Sequence, residues 1–483
     1  MENIQNEKPF EKGETIEITI DDMTEQGRGI GKVKGFTFFV AGAVFGDRVS
    51  AQVTKVKKRY GFADAKEIIE ASPYRADYVC PHASQCGGCS LAGLSYEGQL
   101  KLKEKQVADK IRRLAKIDEP VIREIIPSVD TERYRNKATM ATSRGSIGFY
   151  QSGTRRIMDM QDCLLQKPVV AAVASAIRQF MKEDHITTYN DKTGKGLMRH
   201  VTVRTAESTG QVMVILVING KGIPNGEKLV GMMDDAVYAL PEREDGSFFS
   251  LESVIVNIDK GKDKDTKIGG IYGKKTEVLA GASVIKDVNS ELNFEISPLA
   301  FYQVNSKTTE LLYGKAMEYA AMEGGETVLD LYCGVGTIGL MACKRGAGKV
   351  IGIEEVREAV LDANRNSVIN NIVPARYVEG RAETVLPELI KGEGKAEDDP
   401  WLKVDTVDVV FIDPPRKGCD NRLLDAACMA EPKKIVYVSC DPGTLARDIA
   451  YLQEKGYVLE EITPVDMFPQ TMHVECVALM TRK

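Results

Sequence analysis

The stretch "TVLDLYCGVGTIGLMA", residues 327–342, has the pattern of a buried strand, a glycine-rich turn and the start of a helix. Gly334 and Gly336 stand in the turn, where the missing Cβ atoms let the backbone approach a ligand closely. The helix N-terminus that follows favours a carboxylate or a phosphate. The next apolar strand ends at Glu354, twenty residues after Gly334, an offset that suits an acid accepting hydrogen bonds from ribose hydroxyls. The stretch therefore predicts a nucleotide-like cofactor at the carboxyl edge of a parallel sheet.

Around this stretch, apolar strands alternate with helical segments throughout residues 297–483. The strand candidates are "TVLDLYC", "KVIGIEE", "ARYVEG", "VDVVFIDPP", "KKIVYVSC", "YVLEEITPVDMF" and "VECVALMTR". Alternation of this kind is typical of a parallel sheet with helices on both faces. We therefore predict a Rossmann-like C-terminal domain over residues 297–483.

Two cofactors fit the glycine turn when it is considered alone. Gly334, Gly336 and Gly339 match the G-x-G-x-x-G pattern of dinucleotide-binding proteins, which favours NAD. The strand in "DVVFIDPPRKG" (408–418) ends in Asp413 and a rigid diproline, which would form a hard floor for a planar substrate. A dehydrogenase has no use for such a floor, so this element favours S-adenosylmethionine.

Length and composition limit what the whole chain can be. With 483 residues it exceeds the size of a single hydrophobic core, so two or three domains are expected. The formal net charge of −6 argues against a general polyanion binder but leaves room for a local basic groove. The N-terminus has no apolar signal segment, and no run of about 18 apolar residues is present. We expect a cytoplasmic protein that does not contact membranes.

Residues 1–68 have the pattern of a small all-β domain. Short alternating strands and turn glycines in so few residues predict an OB-like β-barrel. Within it, the stretch 48–60 carries five basic residues, no acid and a closing Tyr60. Basic side chains beside an aromatic ring could contact a phosphate backbone and stack on a base. Alternatively, these lysines belong to a solvated edge strand that they protect from aggregation.

The segment 69–296 has a mixed pattern that predicts a central α+β domain. It includes a charged amphipathic helix over 95–115, which could pack on the catalytic domain. Its stretch "YVCPHASQCGGCSL" carries three closely spaced thiols, and a fourth follows in "MDMQDCLLQ". Four thiolates can hold either zinc or a [4Fe–4S] cluster, and the spacing alone leaves both open. The four cysteines are Cys80, Cys86, Cys89 and Cys163.

Several motifs occur together in one order along the chain: "FYQVN" (301–305), "DLYCGVGTIGL", "IGIE", "DPPRKG", "VSCDPGTLARD" and "HVECV" (473–477). In this respect the chain resembles the bacterial RNA uracil-C5 methyltransferases, most closely those that act on 23S ribosomal RNA. The resemblance extends to "YRNKA" (134–138), to the cysteine set and to the N-terminal barrel, which is similar to a TRAM domain. It implies S-adenosylmethionine-dependent methylation of uridine to 5-methyluridine in 23S ribosomal RNA.

The resemblance also implies roles for individual residues. It implies that the four cysteines hold a [4Fe–4S] cluster with a structural function, and that Cys440 is the nucleophile and Glu475 the base. The residues that would contact S-adenosylmethionine are Gln303, Tyr332, Glu354 and Asp413, together with Gly334 from the glycine turn.

The chemistry of uracil gives an independent reason for a cysteine at position 440. In "VYVSCDPGTLARD" (436–448) this cysteine stands where a strand ends, on the sheet rim where ligands bind. Uracil C5 is too weak a nucleophile to take a methyl group unaided, whereas thiolate addition at C6 makes C5 an enolate carbon. A base must then remove the C5 proton, and Glu475 opens an otherwise apolar final strand. We predict that the target base is flipped out or lies in a loop.

The motifs do not exclude every competing function. An amino-group methyltransferase would need an aromatic residue after the diproline, where Arg416 stands. A transfer RNA uracil-C5 methyltransferase and a non-catalytic RNA-binding iron–sulfur protein also remain open. Arg135, Lys137 and the Lys/Gly-rich loop 260–275 are candidates for the RNA path, and we expect a monomer. The remaining cysteines are interpreted as ordinary small apolar residues.

Overall fold

The computed structural model describes residues 9–77, 80–83, 85–260 and 270–483. In this part of the chain there are three large sheets and one separate two-stranded hairpin. None of the helices in the described residues is long and apolar enough to cross a membrane.

The N-terminal sheet curls into a barrel. Its strands are β1 (Thr15–Thr19), β2 (Asp22–Met23), β3 (Gly29–Val33), β4 (Phe36–Ala41), β5 (Arg48–Val56) and β6 (Tyr60–Glu70). They run in the order β1-β5-β6-β4-β3-β2, and the amide of Asp21 donates to the carbonyl of Ile30 at 2.8 Å, which brings β1 back to β3. Alternate residues such as Phe38 and Val40 point inward and are fully buried, so the core is filled from one face of each strand.

The first helix of the central region packs on the C-terminal region. Helix α1 (Tyr96–Lys110) continues as one π-helical segment, Ile111–Ala115. Val107 and Ile111 share an apolar core with Leu445 and Ile449 of the C-terminal region. The helix predicted over 95–115 is thus present, and its apolar side packs on the C-terminal region, mainly against the helix Pro442–Glu454.

A second sheet forms the body of the central region, in the order β13-β12-β11-β10-β7-β8-β9. Two helices, α2 and α3, pack on it through an apolar core. A hairpin, β14–β15, follows. The bounds are β7 (Lys137–Ser143), β8 (Ser146–Tyr150), β9 (Ile157–Asp159), α2 (Pro168–Glu183), β10 (Met198–Thr205), β11 (Gln211–Ile218), α3 (Gly226–Tyr238), β12 (Ser250–Ile258), β13 (Lys275–Gly281), β14 (Ile285–Asn289) and β15 (Leu292–Ile296).

The C-terminal sheet has seven strands in the order β18-β17-β16-β19-β20-β22-β21. β22 is antiparallel to both of its neighbours, and the pairings among β16–β20 are parallel. The strands are β16 (Thr327–Leu331), β17 (Lys349–Glu354), β18 (Ala375–Glu379), β19 (Val409–Ile412), β20 (Lys434–Ser439), β21 (Tyr457–Val465) and β22 (Glu475–Arg482). The helices are α4 (Ser306–Ala320), α5 (Thr337–Lys344), α6 (Arg357–Ile369), α7 (Ala382–Lys391), α8 (Lys395–Asp398), α9 (Asn421–Met429) and α10 (Pro442–Glu454), with a 3-10 turn over Pro400–Leu402.

The order of the strands in the C-terminal sheet predicts where a ligand-binding crevice lies. The chain runs outward through β17 and β18 on one side of β16 and through β19 and β20 on the other, so the order reverses between β16 and β19. Open α/β sheets bind ligands outside the carboxyl ends of the strands at such a reversal. The glycine turn after β16 and the diproline after β19 both lie there.

The domain boundaries at 68/69 and 296/297 remain predictions from the sequence. Phe294 and Ile296 of the hairpin share one apolar core with Leu312 and Val328 of the C-terminal region. That core also includes Ile215 of the central sheet. The central and C-terminal regions are therefore packed together through apolar contacts along this boundary.

Candidate active site

The turn after β16 and the start of the next helix require glycine because their backbone lies close to neighbouring side chains. Gly336 has φ of +85°, and a Cβ there would lie 2.8 Å from the ring of Tyr377. A Cβ at Gly339 would lie 3.0 Å from the carboxylate of Asp330, whose oxygen accepts a hydrogen bond from the Gly339 amide at 2.8 Å. The turn therefore holds its shape through close backbone contacts that no larger residue would permit.

A buried carboxylate, Asp330, and a half-buried one, Glu354, flank the turn. Asp330 is fully buried, and burial raises its pKa to about 7. Its Oδ1 has no hydrogen-bond partner among the described residues. Glu354, at the end of β17, accepts from the Gly334 amide at 3.2 Å and from the Val356 amide at 2.9 Å, and burial raises its pKa. The structure thus brings Gly334 and Glu354 into direct contact at the sheet edge.

A polar chain connects the "FYQVN" segment with the end of β19. The side-chain amide of Gln303 donates to the Tyr313 hydroxyl at 3.2 Å, and that hydroxyl donates to Asp413 at 3.3 Å. The backbone of Gln303 is held in turn by the Asn136 side chain, which donates to its carbonyl at 2.8 Å. Removal from water raises the pKa of Asp413 to about 7. Sequence reasoning missed Tyr313, because its position on α4 gives no local signal.

Cys440 and Glu475 face one another at the ends of neighbouring strands. Ser439, the last residue of β20, pairs with Cys476 of β22, so the next residues in register are Cys440 and Glu475. Burial first, and then the negative charges of Glu475 and Asp413, raise the pKa of the Cys440 thiol to about 12. Burial and the charge of Asp413 raise the pKa of Glu475 to about 8. The ligand-free site thus disfavours negative charge on each of these groups.

The positive charge of Arg416 opposes this rise in pKa at Cys440 and Glu475. The guanidinium lies 3.1 Å from Nε2 of His473, and burial together with Arg416 lowers the pKa of His473 to about 4. His473 is therefore neutral at physiological pH, with Nε2 free to accept from the guanidinium. Sequence reasoning considered Arg416 only because no aromatic residue stands there, and it missed a role for His473, although both residues lie inside the quoted motifs "DPPRKG" and "HVECV".

Of the candidate residues for the RNA path, Arg135 and Lys137 are described by the structure. The guanidinium of Arg135 stands 5.7 Å from the ring of Phe468, which itself packs edge-on against His473 at 6.0 Å. Arg135 is thus close to the site. Lys137 is half-buried beside Arg204, and burial with that neighbouring charge lowers its pKa to about 7. Most of the predicted Lys/Gly loop, residues 261–269, lies outside the described residues.

The four predicted cluster ligands belong to the central region and not to the strands of the C-terminal sheet. None of the chain's ten cysteines, all of them described, forms a disulfide, and these four are half-buried. The negative charges of Cys86 and Cys80 add to burial in raising the pKa of Cys163, so these three thiols share one neighbourhood. Nevertheless, no group of three or more His, Cys, Asp or Glu side chains in the described residues is arranged to hold a metal ion. The prediction of a [4Fe–4S] cluster is therefore not confirmed.

Relatives of this chain match it almost from end to end. It is 42% identical to an RNA methyltransferase of Caldanaerobacter subterraneus subsp. tengcongensis over 97% of this chain and 98% of that one. It is 38% identical to an RNA methyltransferase of Bacillus cereus over 98% of both chains. The family model described as tRNA (Uracil-5-)-methyltransferase matches residues 274–483. The chain belongs to the RNA uracil-5-methyltransferase family. The predicted family is thereby confirmed.

The remaining matches agree with membership of the RNA uracil-5-methyltransferase family. The TRAM domain model matches residues 9–66, which confirms the predicted N-terminal domain. Among solved structures, the Pyrococcus abyssi tRNA (uracil-54, C5)-methyltransferase in complex with S-adenosyl-L-homocysteine is similar with a TM-score of 0.72. It is 28% identical, and the match covers 96% of this chain and 99% of that one. The present chain is thus an S-adenosylmethionine-dependent RNA methyltransferase of this family.

Proposed function

We propose that this enzyme methylates C5 of specific uridines in 23S ribosomal RNA, giving 5-methyluridine, through a covalent bond between Cys440 and C6. The observation that carries the proposal is the position of Cys440 beside Glu475, one step in register beyond the Ser439–Cys476 pair, with Asp413 close enough for its charge to act on the thiol. A nucleophile and a base on adjacent strand ends can act on neighbouring atoms of one ring.

The steps follow from the placement of these groups. The Cys440 thiol first loses its proton to water, and the thiolate adds to C6. The displaced π electrons make C5 an enolate carbon that attacks the methyl group of the sulfonium, releasing S-adenosylhomocysteine. Glu475 then takes the C5 proton, and the C5–H electrons re-form the double bond as the C6–S bond breaks. Once ionised, Glu475 is a stronger base than an ordinary carboxylate because its pKa is raised to about 8, and the charge of Arg416 favours the ionised form. Arg416 would stabilise the thiolate as it forms.

The cofactor would lie across the strand ends. Gly334 leaves the backbone open on its cofactor side, and Glu354 is placed to accept hydrogen bonds from ribose hydroxyls. Tyr332, with φ of +64°, begins the turn, and we propose that it contacts the adenosine. Gln303 and Asp413, connected through Tyr313, would line the path to the methyl group. Bound S-adenosylmethionine supplies the electrophilic methyl group.

Cofactor binding should release protons, because a sulfonium cation favours the ionised form of Asp413. The pKa of this carboxyl is raised to about 7 in the ligand-free site, so it is largely protonated below pH 7. Affinity for S-adenosylmethionine should therefore rise with pH from about 6 to 8, approaching tenfold per pH unit below the pKa. Calorimetric titrations in two buffers of different ionisation enthalpy would measure the proton release.

S-adenosylhomocysteine, which lacks the positive charge, is the matched control and should release few protons. Asp413→Asn should remove the difference between the two ligands. Equal proton release for both ligands in the unmodified enzyme would contradict the placement of Asp413 beside the sulfonium.

The choice of RNA rests on the resemblance to enzymes of 23S ribosomal RNA. A transfer RNA substrate is the second candidate, favoured by the similarity to the Pyrococcus abyssi transfer RNA enzyme over nearly the whole chain. Mass mapping of 5-methyluridine in both RNAs from a deletion strain distinguishes them. Loss from 23S ribosomal RNA is expected, whereas loss confined to transfer RNA would overturn the ribosomal assignment.

We also propose that Cys80, Cys86, Cys89 and Cys163 hold a [4Fe–4S] cluster that stabilises the central region. The support is the donor set, four half-buried thiols outside any disulfide, together with the family resemblance. Cys86 lies in a segment joined to the central region by a backbone bridge to Gln151. A cluster here would link this segment to Cys163, which stands before α2.

Protein purified without oxygen should contain about four irons per chain, as four thiol ligands imply. Cys86→Ala should lose iron and lower the thermal stability of the protein, because the remaining thiols no longer complete the ligand set. Cys343 is a half-buried cysteine of α5. Cys343→Ala is the control and should keep both the iron and the thermal stability of the protein. Stoichiometric zinc without iron would refute the cluster.

A further inference from the structure

Three aromatic rings lie together on the outside of the TRAM barrel. The ring centroids of Phe39 and Tyr60 are 5.5 Å apart, and those of Phe39 and Phe62 and of Tyr60 and Phe62 are each 5.6 Å apart. They stand on β4 and β6, which pair directly, with Phe39 opposite Phe62. We call Phe39, Tyr60 and Phe62 the aromatic face.

These rings contribute nothing to the barrel core. Their chain neighbours Phe38, Gly61 and Ala63 point inward and are buried, and strand alternation therefore directs the three rings outward. Tyr60 is 39% exposed, and the other two rings are half-buried by one another. Solvent-facing clusters of large aromatic residues are unusual and mark interaction surfaces.

Positive charge surrounds the aromatic face. The guanidinium of Arg28 lies 5.8 Å from the centre of the Phe62 ring, and Lys55 stands opposite Phe62 on β5. The turn between β5 and β6 adds three more exposed cations. These are Lys57, Lys58 and Arg59. A ring platform edged by cations is complementary to a polyanion that offers planar groups.

The turn that carries Arg28 also lies near the candidate active site. Arg28 ends the turn 24–28, in which its amide donates to the Thr24 hydroxyl at 3.0 Å. Glu25 of the same turn is close enough to His473 for its charge to raise the pKa of that imidazole. A strand of RNA leaving the active site past His473 would therefore meet Arg28 and then the aromatic face.

We propose that the aromatic face binds unpaired bases of the RNA substrate by stacking, while Arg28 and Lys55 contact the adjoining phosphates. This inference rests on the proposed function, since it takes the partner of the barrel to be the RNA that is methylated. The expected ligand is a single strand, because bases within a duplex have no free π-face to offer.

The test is a double variant, Tyr60→Leu with Phe62→Leu, in the full-length protein. Leucine retains apolar bulk on the strand but removes the π-face. Binding is measured against a labelled single-stranded oligoadenylate, which carries no uridine and therefore does not depend on the chemistry at Cys440. Affinity should fall about tenfold or more at every salt concentration, because base stacking is lost. The slope of log K against log salt should stay unchanged, because no phosphate contact is removed.

Two further variants complete the design. Arg28→Gln with Lys55→Gln should flatten the salt slope, since phosphate contacts release counterions. Tyr238→Leu replaces an 88% exposed aromatic on α3, away from the barrel, and should change neither affinity nor slope. Circular dichroism and retained S-adenosylmethionine binding would show that the variants are folded.

Unchanged oligoadenylate affinity in the folded leucine variant would overturn the aromatic face as a base-binding site. An equal loss of affinity for a duplex would overturn it as well, since stacking requires unpaired bases. These results would leave uridine methylation standing. Conversely, normal stacking-dependent binding in a protein that transfers no methyl group to uridine would reject the proposed function and leave the aromatic face intact.

Discussion

Cys440→Ala is expected to abolish both methyl transfer and every covalent protein–RNA complex. The thiolate acts first in the proposed cycle, and without addition at C6 the C5 carbon does not become nucleophilic. The expected loss of activity is at least about 10⁴-fold, since the covalent route disappears entirely. Cys428→Ala is the matched control. That thiol is half-buried on α9, and burial raises its pKa as well, yet it lies outside the site.

Glu475→Gln should stop the same cycle at a later step. In the proposed cycle, addition to C6 and methyl transfer do not use Glu475 as a base, so this variant should still form a methylated adduct. It should then stall, because glutamine cannot accept the C5 proton whose removal allows the thiolate to leave. With labelled cofactor, the product is a labelled protein–RNA band on a denaturing gel. RNA carrying 5-fluorouridine at the target should trap the unmodified enzyme in the same way.

The two variants separate the nucleophile from the base, which loss of activity alone cannot do. A labelled adduct with Cys440→Ala would reject this cysteine as the nucleophile. Normal turnover by Glu475→Gln would reject Glu475 as the base and leave the role of Cys440 unaffected.

Lys103→Met is expected to give the largest loss of stability. Lys103 and Asp466 form an ion pair at 2.6 Å in which both side chains are completely buried. Removing the lysine would leave a carboxylate buried without its counter-charge, and a broken buried pair costs about 3–5 kcal/mol. The urea midpoint of unfolding should fall accordingly. Combining Lys103→Met with Asp466→Leu should recover part of the loss, because no unpaired charge then remains.

The same pair positions the segment that carries Glu475. The ammonium of Lys103 also donates to the Phe468 carbonyl at 3.1 Å, and Gln99 exchanges hydrogen bonds with Gln470 at 3.0 and 2.8 Å. Helix α1 thus holds residues 466–470, which lead directly to Glu475. Lys103→Met should therefore slow methyl transfer at temperatures where the protein is still folded.

An exposed ion pair provides the control for this prediction. Lys403 and Asp405 form an ion pair at 2.7 Å, and their side chains are 50% and 71% exposed. Lys403→Met should change the free energy of unfolding by less than about 1 kcal/mol. If Lys103→Met had an equally small effect, the buried pair would not be a determinant of stability.

Some features of this protein follow from neighbouring residues alone, and the sequence was sufficient to predict them. Apolar runs separated by helical segments predicted the parallel sheet, and the glycines at 334 and 336 predicted the turn at its edge. The position of Cys440 at a strand end was also predictable, because Asp441, Pro442 and Gly443 stop the strand and start a helix. Period, turn chemistry and capping are local properties, so a single sequence carries them.

The composition of the candidate site depended on contacts between distant residues. The opposition of Cys440 and Glu475 exists because β22 inserts antiparallel between β20 and β21, an order that no local pattern specifies. The polar chain through Tyr313 joins residues 100 positions apart. Lys103 lies in a helix whose sequence is that of a charged surface, but the fold buries it against a partner 363 residues away. Burial and pairing across such separations are decided by the packing of the whole chain, and only the tertiary structure shows them.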